Sequence, residues 1–438
     1  MTRRPPSVAI GFLALIAAGA AALASPWARA DGRWGGVADA LFTSCSAVCV
    51  TGLSVVDVAT AYTRVGQAVI LALVQAGCLG IMTCATFFLL AVGRRLSLGR
   101  EFQLMDAYGA VGIRGLRSLV LWVVGATLAV EAAGAALLSL RIDDPFSAVF
   151  HSAMAFCNAG FSLYPGSLAR FADDPLVLGV LAAETVLGGL GFLVLFNLCT
   201  FRFRRRASGA KGRLSLHSLV VLRFTAYLLV FAFVAFLALE WDGALAGFAP
   251  AKKAVVALYH AVTPRTCGFC VVPAESLRAL TANVYEALMF VGGAPGSAAG
   301  GIKITTLAVF FCTLRAMCRG EDDTVVSGRT VPGDVVRESF VIICAMIAFA
   351  WTVNAALSFT EAGRGIGGEA MFFEAVSAVT TTGLSMGDTT ARLSQAGRVV
   401  VMCAMFVGRL GALAVVMAIG ERESKRLVRF PTEELVVG

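Results

Sequence analysis

The sequence predicts an all-α polytopic membrane protein. Eight transmembrane helices and four re-entrant pore helices form four pseudo-fourfold M1-P-M2 repeats around one pore. Three observations predict this class. The 438 residues are 58% hydrophobic and only 15% charged, with mean hydropathy +0.81, far from the roughly 25% charged content of soluble domains. Eight apolar stretches reach the roughly 20 residues that a helix needs to cross a hydrocarbon core about 30 Å thick. One short phrase, a small or polar residue before a glycine, then a large apolar residue and usually a serine, occurs four times.

The four occurrences are Val50-Thr51-Gly52-Leu53-Ser54, Asn158-Ala159-Gly160-Phe161-Ser162, Thr266-Cys267-Gly268-Phe269 and Thr381-Thr382-Gly383-Leu384-Ser385. Gly52 and Gly160 are 108 residues apart, as are Gly160 and Gly268, and 115 separate Gly268 from Gly383. An interval held that closely indicates copies of one supersecondary unit. An aromatic-polar pair precedes each glycine: Phe42-Thr43, Phe150-His151, Tyr259-His260 and Phe373-Glu374. A second glycine pair follows in three copies, at Gly77/Gly80, Gly188/Gly191 and Gly408/Gly411. The repeats are expected at 1–95, 114–206, 214–319 and 334–438.

Spans are expected near 8–28, 66–92, 116–140, 176–201, 218–239, 283–313, 338–359 and 396–420. Half-length apolar segments lie between them at 38–50, 146–157, 252–263 and 369–380. Twelve residues of helix rise only about 18 Å, so these segments enter and leave on one side, shielded from lipid by protein. The net charge of +8 suggests an anionic partner until its distribution is seen. Lys and Arg concentrate at Arg3–Arg4 and in 94–117, 202–223, 315–337 and 421–438, and the opposite loops hold about half as many. The positive-inside rule then puts both termini in the cytoplasm and the glycine loops on the outer side, with lipid rather than nucleic acid as the surrounding partner. A cleaved signal peptide ending at Ala28-Arg29-Ala30 is the rival reading. It would leave an odd number of crossings, against the charge asymmetry.

In the first copy, the C-terminal end of the pore helix directs partial negative charge past Val50, which favours a cation. The basic loop that follows, up to Arg117, reads as a cytoplasmic docking surface or simply a solvated face. The second copy carries Glu131 and Glu184 inside spans. Acids there are costly and face the bundle interior, either serving ion passage or hydrogen-bonded to a neighbouring helix. The third copy is interrupted by Gly292-Gly293-Ala294-Pro295-Gly296-Ser297-Ala298-Ala299-Gly300-Gly301-Ile302-Lys303. Five glycines and a proline do not hold a helix, so the segment is expected to cross the pore beneath the glycine ring as a gate. A phosphate-binding loop is the alternative, but Gly301-Ile302-Lys303 lacks the adjacent Gly-Lys-Ser/Thr and its flanks are membrane spans. Arg409, in the last span, is expected to donate to that segment's carbonyls, with a salt bridge as the alternative. The tail closes with Arg429-Phe430-Pro431 and Val436-Val437-Gly438, too short for a domain of its own.

Four glycine loops around an axis suit one chemistry. A potassium ion sheds water only where oxygens replace it, and rings of backbone carbonyls supply them. Glycine permits the backbone angles that turn successive carbonyls inward.

On these residues the chain resembles the Trk/Ktr/HKT superfamily of potassium transporters. The four loops, the GGAPGSAAGGIK segment and Gly408-Arg409-Leu410-Gly411 carry the likeness across nearly the whole chain. Without two additional leading spans it is most similar to the Ktr-type membrane subunit. The resemblance implies potassium uptake across the cytoplasmic membrane by a homodimer, each protomer with its own pore, seated on a cytosolic ring of nucleotide-binding regulatory subunits. Any nucleotide then acts through that partner alone. It implies a filter lined by Val50, Thr51, Gly52, Asn158, Ala159, Gly160, Thr266, Cys267, Gly268, Thr381, Thr382 and Gly383. Potassium would be held at Thr51, Gly52, Asn158, Gly160, Thr266, Gly268, Thr382 and Gly383. It implies a gate of Gly292, Gly293, Gly296, Gly300, Gly301, Lys303 and Arg409. The chain departs from the family pattern at Cys267 and Cys270, where alanine and asparagine are expected.

Those two cysteines have a C-x-x-C spacing, the mark of a redox pair or half a zinc site, but no second half-site lies near. His151 and His260, at equivalent pore-helix positions, are expected to hydrogen-bond behind the filter. The competing functions are a sodium-permeable or Trk-type transporter with the same pore, sodium also being a candidate coupling or activating ion. More distant is a membrane enzyme using Cys267 and Cys270.

Overall fold

The computed structural model describes residues 6–92, 113–208 and 214–420, most of them helical. Arg3–Arg4, most of the basic 94–117 loop and the tail with Arg429-Phe430-Pro431 lie outside the described residues.

The first group comprises α1 (Pro6–Ala24), the 12-residue α2 (Val37–Val48), the single turn α3 (Val58–Ala61) and α4 (Arg64–Val92). The second comprises α5 (Ile113–Leu138), the 13-residue α6 (Pro145–Cys157), α7 (Pro175–Leu190) and α8 (Phe192–Ser208). Then follow α9 (Leu216–Glu240), α10 (Pro250–Val262), α11 (Ala279–Phe290) and α12 (Ile304–Cys318). The last group is α13 (Gly333–Thr360), α14 (Gly368–Thr380), the short α15 (Thr389–Arg392) and α16 (Gln395–Gly420).

Among the described residues, three helical segments are long and apolar enough to cross a membrane: Val120–Leu138, Leu216–Glu240 and Gly333–Thr360. The bent pair Pro175–Leu190 and Phe192–Thr200 makes a fourth if counted as one span. The short helices α2, α6, α10 and α14 are of another kind. At 12 or 13 residues each covers only about 18–20 Å.

Local chemistry sets their boundaries. Asp144 caps α6 by accepting from Phe146 N at 3.2 Å, with Pro145 in the first turn. Asp174 caps α7 through Leu176 N and Val177 N ahead of Pro175. Both pairings satisfy amides that have no partner inside the helix and use the proline where its missing N–H costs nothing.

The short helices also close the molecule into a ring. α2, α6 and α14 each pack between two other helices of their own group and α10 packs against α9, and each short helix also touches a helix of the neighbouring group. Thus α6 meets α4, α10 meets α7, α14 meets α11, and α2 meets α16 at the far end of the chain. The buried core follows this ring, with Phe42, Phe150, Tyr259 and Phe373 all at most 1% exposed. These are the four aromatic residues singled out by the repeat.

The expected continuous span at 176–201 is broken. α7 and α8 meet at 97°, with Gly191 between them at φ +79°. The cause lies in the third group. Ala294 N donates to Gly189 O at 2.9 Å and Ala298 N to Gly188 O at 3.2 Å, while Phe192 N donates to Gly296 O at 3.3 Å. The glycine-rich segment takes up the hydrogen bonds that a continuous helix would have made with itself.

Candidate functional site

The site forms where the chain leaves the four short helices. Val50, Asn158, Thr266 and Thr381 have φ of 55°, 58°, 66° and 52°, each two residues before its glycine. Left-handed backbone is uncommon outside glycine and is an outlier for β-branched residues. Its recurrence at one position in all four loops marks a shared, overdetermined conformation of the kind that gathers at functional sites.

Two residues further on, the loops meet. A Cβ on Gly52 would lie 2.6 Å from Gly160 N, one on Gly160 2.6 Å from the Cα of Gly268, and one on Gly268 2.7 Å from Thr382 O. A Cβ on Gly383 would overlap Thr51 O. The loops thus touch in chain order and the fourth returns to the first. No side chain fits at any of the four positions without moving a neighbouring loop's backbone. Gly52, Gly268 and Gly383 also have positive φ, of 98°, 79° and 86°, so glycine is required there twice over. Next to the ring the hydroxyls of Thr51 and Thr381 are buried with no partner among the described residues. Asn158, oriented so that its nitrogen donates to Ala155 O at 3.0 Å and Thr185 O at 3.2 Å, also lies against Thr266 Oγ1.

Polar side chains of the short helices anchor the chain beyond each glycine. His151 Nε2 takes the amide of Leu163 at 3.4 Å and lies 3.2 Å from Ser162 Oγ. His260 Nε2 takes the amide of Val272 at 3.0 Å, while its Nδ1 is 2.8 Å from Tyr285 Oη. Glu374 accepts from Ser385 Oγ at 2.8 Å and from Thr390 Oγ1. Both histidines therefore hold backbone behind the loops. Cys267 is buried with its sulfur 3.2 Å from Thr185 Oγ1. Glu131 and Glu184 lie one layer further out. Gln75 Nε2 donates to Glu131 at 2.6 Å, and Ser152 Oγ donates to Glu184 Oε1 and, at 2.7 Å, to Glu131 O. With Gln75 and Ser152 they join four helices, α4, α5, α6 and α7.

The glycine-rich segment, residues 291–303, connects α11 to α12 and packs against the fourth of these loops. A Cβ on Gly300 would overlap Thr381 Oγ1 and lie 2.5 Å from Thr380 O. On its other side the segment occupies the bend at Gly188–Gly191. Its ends close on each other, with Gly292 N donating to Ile302 O at 3.0 Å and Ile302 N to Phe290 O at 2.9 Å. Lys303 Nζ donates to Ala299 O at 2.7 Å, and Arg409 Nη1 to Ala298 O. The expected bond from Arg409 to the segment's carbonyls is present, and no ion pair among the described residues includes Arg409.

A third cation reaches the same segment and was not legible in the sequence. Arg265, 7% exposed, directs Nη2 at Gly292 O at 3.4 Å. In the sequence it counts as one more basic residue of an outer loop. What distinguishes it is its burial three residues before Gly268.

Residues 16–429 match the TrkH family, described as a cation transport protein. The chain is 34% identical over 445 residues to Ktr system potassium uptake protein B of Bacillus subtilis, covering 99% of this chain and 97% of the relative. It is 32% identical to Ktr system potassium uptake protein B of Vibrio alginolyticus, over 99% and 95%. It is 29% identical to the potassium/sodium uptake protein NtpJ of Enterococcus hirae, over 98% and 96%. Among solved structures, the potassium transporter TrkH of Vibrio parahaemolyticus superposes with TM-score 0.74 at 18% identity, covering 94% of this chain and 83% of that one.

Proposed function

Because the chain belongs to the TrkH family of cation transport proteins, a membrane-embedded class of transporters rather than enzymes, we propose that it carries potassium into the cell through the ring of glycine loops. The observation that carries this reading is the closure of four sequence-distant loops, each with left-handed backbone two residues before its glycine.

The mechanism follows from the backbone. Potassium enters from the outer side and loses water as carbonyl oxygens of Val50-Thr51-Gly52, Asn158-Ala159-Gly160, Thr266-Cys267-Gly268 and Thr381-Thr382-Gly383 replace it. The C-termini of α2, α6, α10 and α14 point toward the same place, each contributing about half a negative charge. The unpartnered hydroxyls of Thr51 and Thr381 add oxygens at the inner end. Below them the 291–303 segment is the gate, held by Lys303, Arg409 and Arg265 through its carbonyls. Its Gly292, Gly293, Gly296, Gly300 and Gly301 allow it to rearrange.

In this reading the four groups are M1-P-M2 repeats around one pore, in the cytoplasmic membrane with both termini inside. The names of two relatives speak of a Ktr system, which supports a partner subunit; a homodimer on a cytosolic nucleotide-binding regulatory ring completes this reading. The name of NtpJ includes sodium, so sodium is the competing ion to test.

Radiotracer uptake in potassium-starved cells that lack their own uptake systems tests the proposal. With a regulatory ring supplied, the chain is expected to restore potassium uptake, and Gly268→Ser is expected to erode discrimination against sodium by tenfold or more. Absence of both potassium and sodium flux would contradict it.

A further inference from the structure

The four loops are not held alike, and the difference lies at the amide of the ring glycine. Gly52 N donates to Ser46 Oγ at 3.1 Å, and Gly383 N donates to Ser377 Oγ at 3.1 Å. Both serines are completely buried in their short helices, and each also accepts the preceding amide on its own carbonyl, from Thr51 N and Thr382 N, both at 2.9 Å. In the second loop the corresponding residue is Met154. It keeps the backbone bond, from Ala159 N at 2.9 Å, but has no hydroxyl to offer Gly160. The third loop is one residue shorter between its histidine and its glycine. Thr263 stands in the serine's place, and its hydroxyl donates to Tyr259 O at 3.2 Å.

A trans peptide is planar, with N–H and C=O on opposite sides. Drawing Gly52 N outward onto Ser46 turns Thr51 O inward, and drawing Gly383 N onto Ser377 does the same to Thr382 O. Thr51 O stands against Gly383, and Thr382 O against Gly268. The unbraced second loop does the opposite. Ala159 O accepts Phe161 N across a tight turn at 2.7 Å, and Gly160 alone among the four glycines lacks positive φ.

We infer that Ser46 and Ser377 are the positioning residues that set ion discrimination, fixing the Thr51 and Thr382 carbonyls as the rigid side of an asymmetric ring. This rests on the ring's being the ion path. Ions of different size are told apart by oxygens that cannot follow the smaller one inward. Two carbonyls locked by buried hydroxyls supply that stiffness, and the peptides before Gly160 and Gly268 do not.

The test measures the ratio of potassium to sodium uptake, each as KM and maximal rate, for the full-length protein with its regulatory ring. Ser46→Ala and Ser377→Ala are each expected to lower potassium-over-sodium discrimination about tenfold, the scale of one net hydrogen bond. The loss should appear in the KM ratio, with Ser46→Thr and Ser377→Thr keeping most of the discrimination. Unchanged discrimination in both alanine variants, while Gly268→Ser loses it, would overturn the brace and leave the filter standing. If Gly268→Ser also changes nothing, the filter reading falls as well. A variant too unstable to transport is read by thermal unfolding of purified protein, because an ion bound only by the folded state raises its midpoint. The gap between midpoints in potassium and sodium should narrow in both alanine variants, and a preserved gap would overturn the inference.

Discussion

Gly77, Gly188 and Gly408 show what single residues contribute to this fold. A Cβ on each would overlap the carbonyl oxygen of Val48, Phe156 and Val379 respectively. In all three cases that carbonyl lies four residues before a ring glycine, at the end of a short helix. The long helix approaches so closely that only hydrogen fits, which fixes how far each short helix penetrates. Alanine at any one of them forces overpacking and is expected to cost about 1–3 kcal/mol, measured as a lower unfolding midpoint in detergent. A midpoint unchanged in all three would show that the contact carries no constraint. The ring glycines and these second glycines were legible as repeated letters. The left-handed backbone at Val50, Thr266 and Thr381 was not, because β-branched residues give no local signal for it. Ser46 and Ser377 read as ordinary small helix residues until their hydroxyls were seen on glycine amides over 6 residues.

At the scale of elements, the short helices were recognisable from length and apolarity, and their ends fall within two residues of expectation. The break between α7 and α8 escaped detection because its cause is a segment about 100 residues away, donating from Ala294 and Ala298 into Gly189 and Gly188. Deleting residues 293–302 removes those bonds together with the anchors of Lys303 and Arg409. Flux is expected to rise and to lose its dependence on the regulatory ring, and unchanged conductance would remove the gating role. A separate link ties α13 to α16. Glu361, just past the end of α13, accepts from Ser394 N at 3.0 Å and from Ser394 Oγ at the start of α16. Burial alone would raise its pKa, but the bonds from Ser394 and Thr360 and the charge of Arg364 hold it below the usual carboxylate value. A carboxyl depressed in the folded state adds stability above its unfolded pKa of about 4.3 and loses it as pH falls through the folded value. Glu361→Gln should therefore lower the unfolding midpoint at pH 7 and flatten its decline in acid. An acid decline identical to that of the unsubstituted protein would remove Glu361 from this account.

The whole molecule is a ring whose closure joins α16 to α2 across nearly the full chain. Arg398 Nη1 meets Asp39 Oδ1 at 2.7 Å across that seam. Periodicity in the sequence was enough to expect four units about an axis, since each unit has one apolar helix too short to cross alone. Their inequality had to be seen in the structure. Two loops are braced by serine, one turns its carbonyl back on itself, and one group is interrupted by a glycine-rich segment that packs against the loops. The central claim is that monovalent cations pass between Gly52, Gly160, Gly268 and Gly383. Anomalous scattering from rubidium, in crystals of the full-length protein, tests it most directly. The account predicts a peak on the axis within about 3 Å of the Thr51 and Thr382 carbonyls, weakened when sodium replaces rubidium. Rubidium bound elsewhere, with the ring empty, would contradict it.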